Sequence, residues 1–231
     1  MKVFAISDLH LSINSNKPMD IFGPVWDNYL EKIEKNWKNT VCDDDIVLIG
    51  GDISWAMKFE NAIPDLQYIS KFKGNKIIIK GNHDYWWNSI SQVRENLPEK
   101  IIALQNDAVK IGNVIVAGSR GWSPADDGKE TPENEKIYKR ELIRMELSLK
   151  AAKKLQQESD TLIVLTHFPP MNNKFQKNEM TKLFESYKVD IVVFGHLHGP
   201  SPKTKFKFQK NNIKYFLSSC DLVNNKLIRI I

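Results

Sequence analysis

All five histidines of this 231-residue chain lie in short polar motifs that follow stretches rich in Val and Ile. In chain order the motifs are Asp8-Leu9-His10, Gly51-Asp52, Gly81-Asn82-His83-Asp84, Thr166-His167 and Gly195-His196-Leu197-His198. Turns after the strands of an open α/β sheet meet outside the carboxyl ends of those strands, so the motifs are predicted to converge on one site. Imidazole, carboxylate and amide groups without a thiolate are typical of a hydrolytic transition-metal site rather than a structural zinc site.

The residue types supply the ligands of a centre with two metal ions. Such a centre holds its ions about 3.5–4 Å apart and needs one shared ligand, usually a carboxylate. Asp52 is the natural bridge because it lies in a tight Gly-Gly-Asp turn, and the terminal candidates are Asp8, His10, Asn82, His167, His196 and His198. The alternative is that these polar residues only cap turns and helices, as Asp and Asn often do.

Continuous apolar runs before the motifs predict strands that are buried on both faces. The runs are residues 2–7, 45–50, 75–80, 161–166 and 190–194, and further strands are predicted at 101–104, 108–111, 114–117, 203–209, 213–218 and 226–231. Gly112-Asn113 and Asn224-Asn225 are predicted turns. Strand–helix–strand repeats followed by hairpins indicate an α/β fold with a largely parallel layer and a second, mixed layer, and with the helices outside.

Four helices are predicted between these strands. The first carries Trp26, Tyr29, Leu30, Ile33 and Trp37 at helical spacing, with Pro24 near its start. In the second, residues 59–72, Pro64 predicts a late start or a kink. The other two are residues 88–97 and 132–157, the latter with an apolar stripe of Tyr138, Leu142, Met145, Leu149 and Ala152.

The composition is that of an ordinary soluble globular enzyme, with 42% apolar and 26% charged residues. No Pro-, Gly- or Ser-rich linker divides the chain, so residues 1–231 are predicted to form one domain. The chain opens on a predicted strand and contains only Cys42 and Cys220, from which we expect no signal peptide and a cytoplasmic location. The net charge of +5 is mild, so it is compatible with an anionic substrate and permits a nucleic-acid partner without favouring one. No apolar run approaches the roughly 20 residues of a membrane span.

The ordered set of motifs resembles the calcineurin-like metallophosphoesterase superfamily over residues 8–198. The resemblance implies a four-layer α/β/β/α sandwich with two mixed sheets and a metal site at the carboxyl ends of the strands. It also implies two divalent transition-metal ions, for which manganese, iron and zinc are the first expectations. The first ion would be held by Asp8, His10, Asp52 and His198, and the second by Asp52, Asn82, His167 and His196.

The resemblance assigns chemical roles as well. A metal-bridging hydroxide would attack phosphorus in line, and His83 would act as general acid or stabilise the transition state, with Asp84 as its orienting partner. Alternatively, His83 packs behind the ligands and Asp84 caps the next helix. Asn82 and Arg120 are candidates to bind the phosphate of the substrate, although Arg120 also fits an ordinary surface turn.

Departures from the superfamily pattern reduce the number of activities that the resemblance permits. Gly51-Asp52 continues as Ile53-Ser54-Trp55-Ala56, without the arginine of phosphoprotein phosphatases or the metal-bound tyrosine of purple acid phosphatases. The opening motif is similar to that of small bacterial phosphohydrolases. We therefore expect a hydrolase for a small phosphomonoester or phosphodiester, and neither the substrate nor the oligomeric state is predicted. A nucleic-acid-binding nuclease and a non-catalytic metal-binding scaffold are the alternatives.

Two other patterns have a functional and a structural interpretation. Trp55, Trp86, Trp87 and Trp122 form either an aromatic wall for a planar group or a cover over the sheet ends. The lysine-rich run within 203–209 is interpreted as an exposed edge strand protected by lysines rather than a nucleic-acid stripe.

Overall fold

Two β-sheets lie face to face in this computed structural model, which describes residues 1–15, 17–124, 131–199, 201 and 204–231. The strands, in chain order, are β1 (Val3–Ile6), β2 (Ile46–Ile49), β3 (Asn75–Ile78), β4 (Ile101–Ala103), β5 (Asp107–Ile111), β6 (Val114–Ser119), β7 (Thr161–Thr166), β8 (Ile191–Phe194), β9 (Lys207–Lys210), β10 (Ile213–Leu217) and β11 (Ile228–Arg229). The first sheet has the order β11-β1-β2-β3-β4, and the second has the order β5-β6-β7-β8-β10-β9.

Both sheets are mixed, as expected. In the first sheet, β1 to β4 are parallel and only β11 is antiparallel. In the second sheet, β6, β7, β8 and β10 are parallel and the two edge strands, β5 and β9, are antiparallel. The parallel strands of each sheet therefore end along a common edge, where the polar motifs follow them.

Helices cover the outer face of each sheet. They are α1 (Tyr29–Thr40), α2 (Phe59–Ser70), α3 (Ile90–Glu95), α4 (Pro132–Leu155) and α5 (Glu179–Ser186). One apolar cluster joins α1, α2 and α3 to the first sheet, and a second joins α4 and α5 to the second sheet. A third cluster lies between the sheets, so the layers follow the order α/β/β/α.

The burial of β2 shows why its sequence has no polar alternation. Val47 and Ile49 face the helices, whereas Ile46 and Leu48 face the other sheet, and all four are fully buried. Successive side chains of a strand point to opposite faces, so a strand between two apolar layers needs apolar residues at every position.

The first helix starts later than predicted, whereas the second starts at the first residue of its predicted range. α1 begins only at Tyr29 because Asn28 adopts a left-handed conformation (φ 51°), and Pro24 instead opens a separate 3₁₀ turn, Pro24–Trp26. α2 begins at Phe59, the first residue of its predicted range, so the late start, one of the two effects predicted for Pro64, does not occur. Pro64 lies inside that helix, where its ring nitrogen has no proton to donate.

α5 was not predicted from the sequence. Its start carries a capping box, in which the Asn178 side chain accepts a hydrogen bond from the Thr181 amide and the Thr181 hydroxyl accepts one from the Asn178 amide. Thr in place of the usual Glu or Gln makes this signal easy to overlook.

The predicted turns and edge strand are present. Gly112-Asn113 joins β5 to β6, and Asn224 and Asn225 both have a φ of 55° in the turn before β11. The lysine-rich edge strand is β9, which begins at Lys207, later than the predicted 203–209, and Lys203 itself lies outside the described residues. Among the helices that the structure describes, none is long and apolar enough to cross a membrane.

Candidate metal centre

The polar motifs meet where the carboxyl edges of the two sheets come together. At this edge the Ser7 amide donates to the Ser218 carbonyl at 2.8 Å, which joins the end of β1 to the end of β10. Asp8 and His10 follow β1, Asp52 follows β2, Asn82 follows β3, His167 follows β7, and His196 and His198 follow β8. All seven candidate ligands are thus brought to one edge of the molecule.

Four of these candidates have backbone conformations that are uncommon for residues with a side chain. The φ angles of Asp8, His10, Asp52 and His196 are 59°, 46°, 50° and 71°. Strained backbone of this kind clusters at functional sites, where the surrounding structure holds it in place. The turns hold each other here, because the Asp8 amide donates to the Gly51 carbonyl and the His10 amide to the Asp52 carbonyl, both at 3.0 Å.

One group of potential ligands contains Asp8, His10 and His198. The Nε2 atoms of His10 and His198 are 3.5 Å apart, and His198 Nε2 lies 3.6 Å from Asp8 Oδ1. Asp52 Oδ2 is 4.0 Å from His10 Nε2. Two carboxylates and two imidazoles therefore face a common point.

The second group contains Asp8, Asp52 and His167. His167 Nε2 is 3.5 Å from Asp52 Oδ2 and 2.7 Å from Asn82 Oδ1. His196 Nδ1 reaches the same amide oxygen at 2.8 Å. Asp8 belongs to both groups, whereas Asp52 Oδ2 lies between an imidazole of each.

Two glycines are required by close packing of the turns. A Cβ at Gly81 would overlap the Asp52 carboxylate, and a Cβ at Gly195 would overlap the side chains of Ser7 and Asp8. Glycine permits such an approach because it has no side chain. Gly81 and Gly195 therefore allow the carboxylates of Asp52 and Asp8 to lie close to the neighbouring backbone.

Most of the imidazoles are held neutral. Burial lowers the pKa of His10 to about 3 and that of His196 to about 4, and it also lowers the pKa of His167. A neutral imidazole keeps a lone pair on one ring nitrogen, which is the form that binds a metal ion.

The pKa values of Asp52 and His198 are shifted as well. Burial raises the pKa of Asp52 to about 8, and the carboxylates of Asp84 and Asp8 add to the shift. Burial disfavours a charged His198, but the carboxylates of Asp221 and Asp8 outweigh it and raise its pKa to about 10. Among the described residues no Lys or Arg forms an ion pair with Asp8 or Asp52.

These features fit a divalent metal centre. Asp8 and Asp52 are buried carboxylates without a lysine or arginine partner among the described residues, and a bound cation would compensate their charge. The neutral imidazoles of His10, His167 and His196 and the Asn82 oxygen complete a set of nitrogen and oxygen ligands that suits a divalent transition-metal ion, and binding of an ion would release the proton of His198.

Asp221 is a functional candidate that the sequence analysis missed. Its Oδ1 is 3.0 Å from His198 Nδ1, and its Oδ2 accepts a hydrogen bond from the Gly199 amide at 3.0 Å. A carboxylate on the second nitrogen of a ligating histidine orients the ring and raises its basicity. The available signal was its place shortly after β10, but no glycine or histidine motif marks that turn.

His83 lies beside the ligands and Asp84 lies beneath them. The His83 ring is 5.7 Å from the His10 ring and 4.9 Å from the Trp55 ring, and it is half-buried. Asp84 is fully buried and accepts hydrogen bonds from three backbone amides and Trp86 Nε1. The His83 ring is not among these donors in the described residues, so Asp84 does not orient it by a direct hydrogen bond. Asp84 does not cap the next helix either, because the N-cap of α3 is Ser89.

The geometry of Asp84 indicates a positioning role. Its carboxylate accepts from the Gly81 amide at 2.8 Å and from the Ile53 amide at 2.9 Å, so it ties the turn after β3 to the turn after β2. The His83 amide donates to Asp52 Oδ1 at 2.8 Å. Asp84 thereby holds the backbone from which Asn82, His83 and Asp52 project.

Arg120 lies next to His167 through its backbone, since its carbonyl accepts from the His167 amide at 3.0 Å. Its guanidinium group is 3.9 Å from the buried Glu141 carboxylate and packs over Trp122 and Phe168. Within the part of the chain that the structure describes, no group accepts a hydrogen bond from its buried Nε. Arg120 is therefore held in place but has an unused donor.

The four tryptophans near the motifs have different surroundings. Trp86 and Trp87 are fully buried in the cluster between the first sheet and its helices, so they cover the sheet and present no surface to a ligand. Trp122 packs against Phe168, with ring centroids 4.6 Å apart. Trp55 stacks on His10 at 4.6 Å and is the one of these four that lies against the candidate ligands.

Known proteins resemble this chain both in sequence and in fold. The family model described as calcineurin-like phosphoesterase matches residues 1–200, while no curated protein matches significantly. Among solved structures, TT1561 of Thermus thermophilus is similar with a TM-score of 0.60 and 18% identity, over 98% of this chain and 96% of the other. A protein of unknown function from Aquifex aeolicus, AQ665, has a TM-score of 0.52 and 14% identity, over 99% and 95%.

A third similar structure is GAP50, described as the anchor in the inner membrane complex of Plasmodium. Its TM-score is 0.52 at 11% identity, with 96% of this chain and 72% of that chain covered. At these identities the structural matches report the fold alone. Because one of them is described as an anchor, the fold by itself does not identify a catalytic activity.

Proposed function

This chain belongs to the calcineurin-like phosphoesterase family, and on that premise we propose that it hydrolyses a phosphomonoester or phosphodiester with the help of two divalent metal ions. The observation that carries the proposal is the convergence of seven oxygen and nitrogen ligands, with Asp52 Oδ2 lying 4.0 Å from His10 Nε2 and 3.5 Å from His167 Nε2. A carboxylate oxygen between two imidazoles is suitably placed to be shared by two ions.

The proposed ligand sets are those that the family resemblance implies, and the contacts described above support them. Asp8, His10, Asp52 and His198 would hold one ion, and Asp52, Asn82, His167 and His196 the other. When bound, two such ions supply a water molecule activated as nucleophile at neutral pH and neutralise charge on the phosphoryl oxygens. Manganese, iron and zinc are the metals that this ligand set favours.

The chain's own residues supply the remaining functions. His83 lies next to the ligands on the open side, where a proton on its ring can reach the departing oxygen of an ester. Asp84 fixes the turn that carries His83. Arg120 would offer the exposed part of its guanidinium group to a phosphoryl oxygen, as a guanidinium group commonly does for phosphate.

Residues 1–231 would form one catalytic domain, located in the cytoplasm. In its support, β9, β10 and β11 lie beyond the family match and complete both sheets, so the C-terminal segment is part of the same fold. Cys42 and Cys220 are both unpaired, which agrees with a reducing compartment.

The test is a metal analysis combined with a substrate screen. Purified protein, stripped with a chelator and reloaded separately with manganese, iron or zinc, is assayed on nitrophenyl monoesters, nitrophenyl diesters and oligonucleotides. The proposal expects two ions per chain and metal-dependent hydrolysis of at least one small ester. Preferential cleavage of the oligonucleotides would favour a nuclease, and two bound ions without hydrolysis of any ester would favour a metal-binding scaffold.

A further inference from the structure

A large cavity opens directly beside the first group of candidate ligands. His10, His83 and His198 form part of its wall, and its volume is about 1290 Å³. Pockets that hold drug-sized ligands usually measure about 300–1,000 Å³. The cavity is thus continuous with the candidate metal centre and far larger than a phosphate group requires.

Apolar side chains form most of the remaining wall. They come from three separate segments, namely the connection between β1 and α1, the approach to β9 and the turn before β11, and they are Met19, Phe22, Pro24, Val25, Trp26, Phe206 and Leu222. Phe22 is 63% exposed and Phe206 is 48% exposed. An apolar wall that includes exposed phenylalanines indicates a binding surface for an apolar group.

The two tryptophans of the wall are already engaged by other side chains. Trp55 stacks on His10, its Nε1 donates to Met19 Sδ at 3.2 Å, and the Lys17 ammonium group lies 5.3 Å from its ring centre. Trp26 is only 5% exposed and packs edge-on against Tyr29. A planar base would need an open aromatic face, whereas a flexible hydrocarbon chain can follow a wall of this irregular shape.

We infer that the cavity binds the hydrocarbon chain of the substrate, an alkyl or acyl group carried by the phosphate ester whose phosphoryl group lies at the candidate metal ligands. This inference rests on the proposed function, because it deepens the same site. The specific contacts would come from Phe22, Val25, Phe206 and Leu222, none of which is a candidate metal ligand.

The first test measures how chain length affects binding. Methyl-, butyl-, hexyl- and octylphosphonate, all below their micelle concentrations, are titrated into manganese-loaded protein by calorimetry. Full burial of one methylene corresponds to about fourfold in affinity, so we expect octylphosphonate to bind at least about a hundredfold tighter than methylphosphonate. The phosphonate analogue of adenosine monophosphate, which a phosphoesterase cannot hydrolyse, serves as the planar comparison and should bind more weakly than octylphosphonate.

The second test compares variants of the wall with a matched surface variant. The double substitution Phe22→Asn and Phe206→Asn should reduce the ratio of octyl to methyl affinity by about tenfold or more, because both rings contact the chain. Ile143→Asn is the control, since Ile143 is 62% exposed on α4 and lies outside the cavity wall. The control should retain the unaltered protein's ratio.

Hydrolysis of the corresponding alkyl nitrophenyl diesters is measured in the same preparations. Ester hydrolysis with no dependence on chain length, in binding or in kcat/KM, would overturn the inference and leave the proposed function in place. Tighter binding of the phosphonate analogue of adenosine monophosphate than of octylphosphonate would overturn it in favour of a planar group. Chain-length-dependent binding without hydrolysis of any ester would support the apolar site and refute the proposed function.

Discussion

The candidate metal centre and the apolar cavity share a boundary but are built in different ways. Each candidate ligand lies a few residues after a parallel strand, and four of them are held in left-handed backbone conformations. The cavity wall comes mainly from connecting segments, including two consecutive 3₁₀ turns, Asp20–Phe22 and Pro24–Trp26. The difference suggests that the sheets position the chemistry, whereas the connections select the substrate.

This division predicts that damage to the centre affects every substrate. Asp52→Asn should lower hydrolysis of all esters by on the order of 10⁴-fold, because it removes a shared anionic ligand and several kcal/mol of stabilisation by the ions. Metal analysis of the purified variant should show both ions bound more weakly, with the circular dichroism of the folded protein unchanged. Two tightly bound ions and normal turnover would refute the bridging role of Asp52.

The same division explains how much could be predicted from the sequence. The strands, the two mixed sheets and the convergence of the motifs were predictable, because few residue types bind metals and their place after buried strands is distinctive. Asp221 was missed because its turn has no such motif, although it lies 3.0 Å from His198.

The cavity could not be predicted for a different reason. Met19 and Phe22 lie in the connection at 14–23, which carries no motif, and many apolar residues would form an equally suitable wall. Phe206 meets the other segments only through the tertiary fold. The connection at 123–131 carries no motif either, and its residues 125–130 lie outside the described residues.

His83 lies at the boundary between the two regions, and its substitution should slow the hydrolysis of some esters more than that of others. A nitrophenolate leaves without a proton, whereas an alkoxide needs one, and general acid catalysis contributes typically 10²–10⁴-fold. His83→Ala should therefore slow hydrolysis of an alkyl ester by about 10²-fold or more and that of a nitrophenyl ester much less. The measurement is kcat on both esters from one preparation.

Metal content must be determined in that same preparation, because Asn82 is adjacent to His83. Equal losses on both esters with the metals retained would mean that His83 stabilises charge on the phosphoryl group. Loss of metal would assign it to the centre instead.

Substitution of Asp221 tests whether a residue that contacts His198 without being a candidate ligand contributes to metal affinity. Asp221→Asn removes the negative charge beside His198 Nδ1, and loss of such a partner typically costs about 10–100-fold in metal affinity. Competition with a chelator measures the effect. Asp160→Asn is the matched control, since Asp160 is also buried and ion-paired but precedes β7 at the opposite end of the sheet. Equal effects of the two substitutions would contradict a specific role for Asp221.

The smallest expected effect belongs to Arg120, which separates binding of phosphate from support of the fold. A charge-assisted hydrogen bond contributes about 1.5–3 kcal/mol, so Arg120→Ala should lower kcat/KM by about tenfold or more, mainly through KM. Glu141 keeps Arg144 as a partner at 2.7 Å, so the buried carboxylate stays paired in the variant. Arg144→Ala provides the control, because it disturbs Glu141 without touching Arg120. If both variants lose the same activity, Arg120 acts through Glu141 and the fold. If only Arg120→Ala raises KM while the metals stay bound, its guanidinium group contacts the substrate.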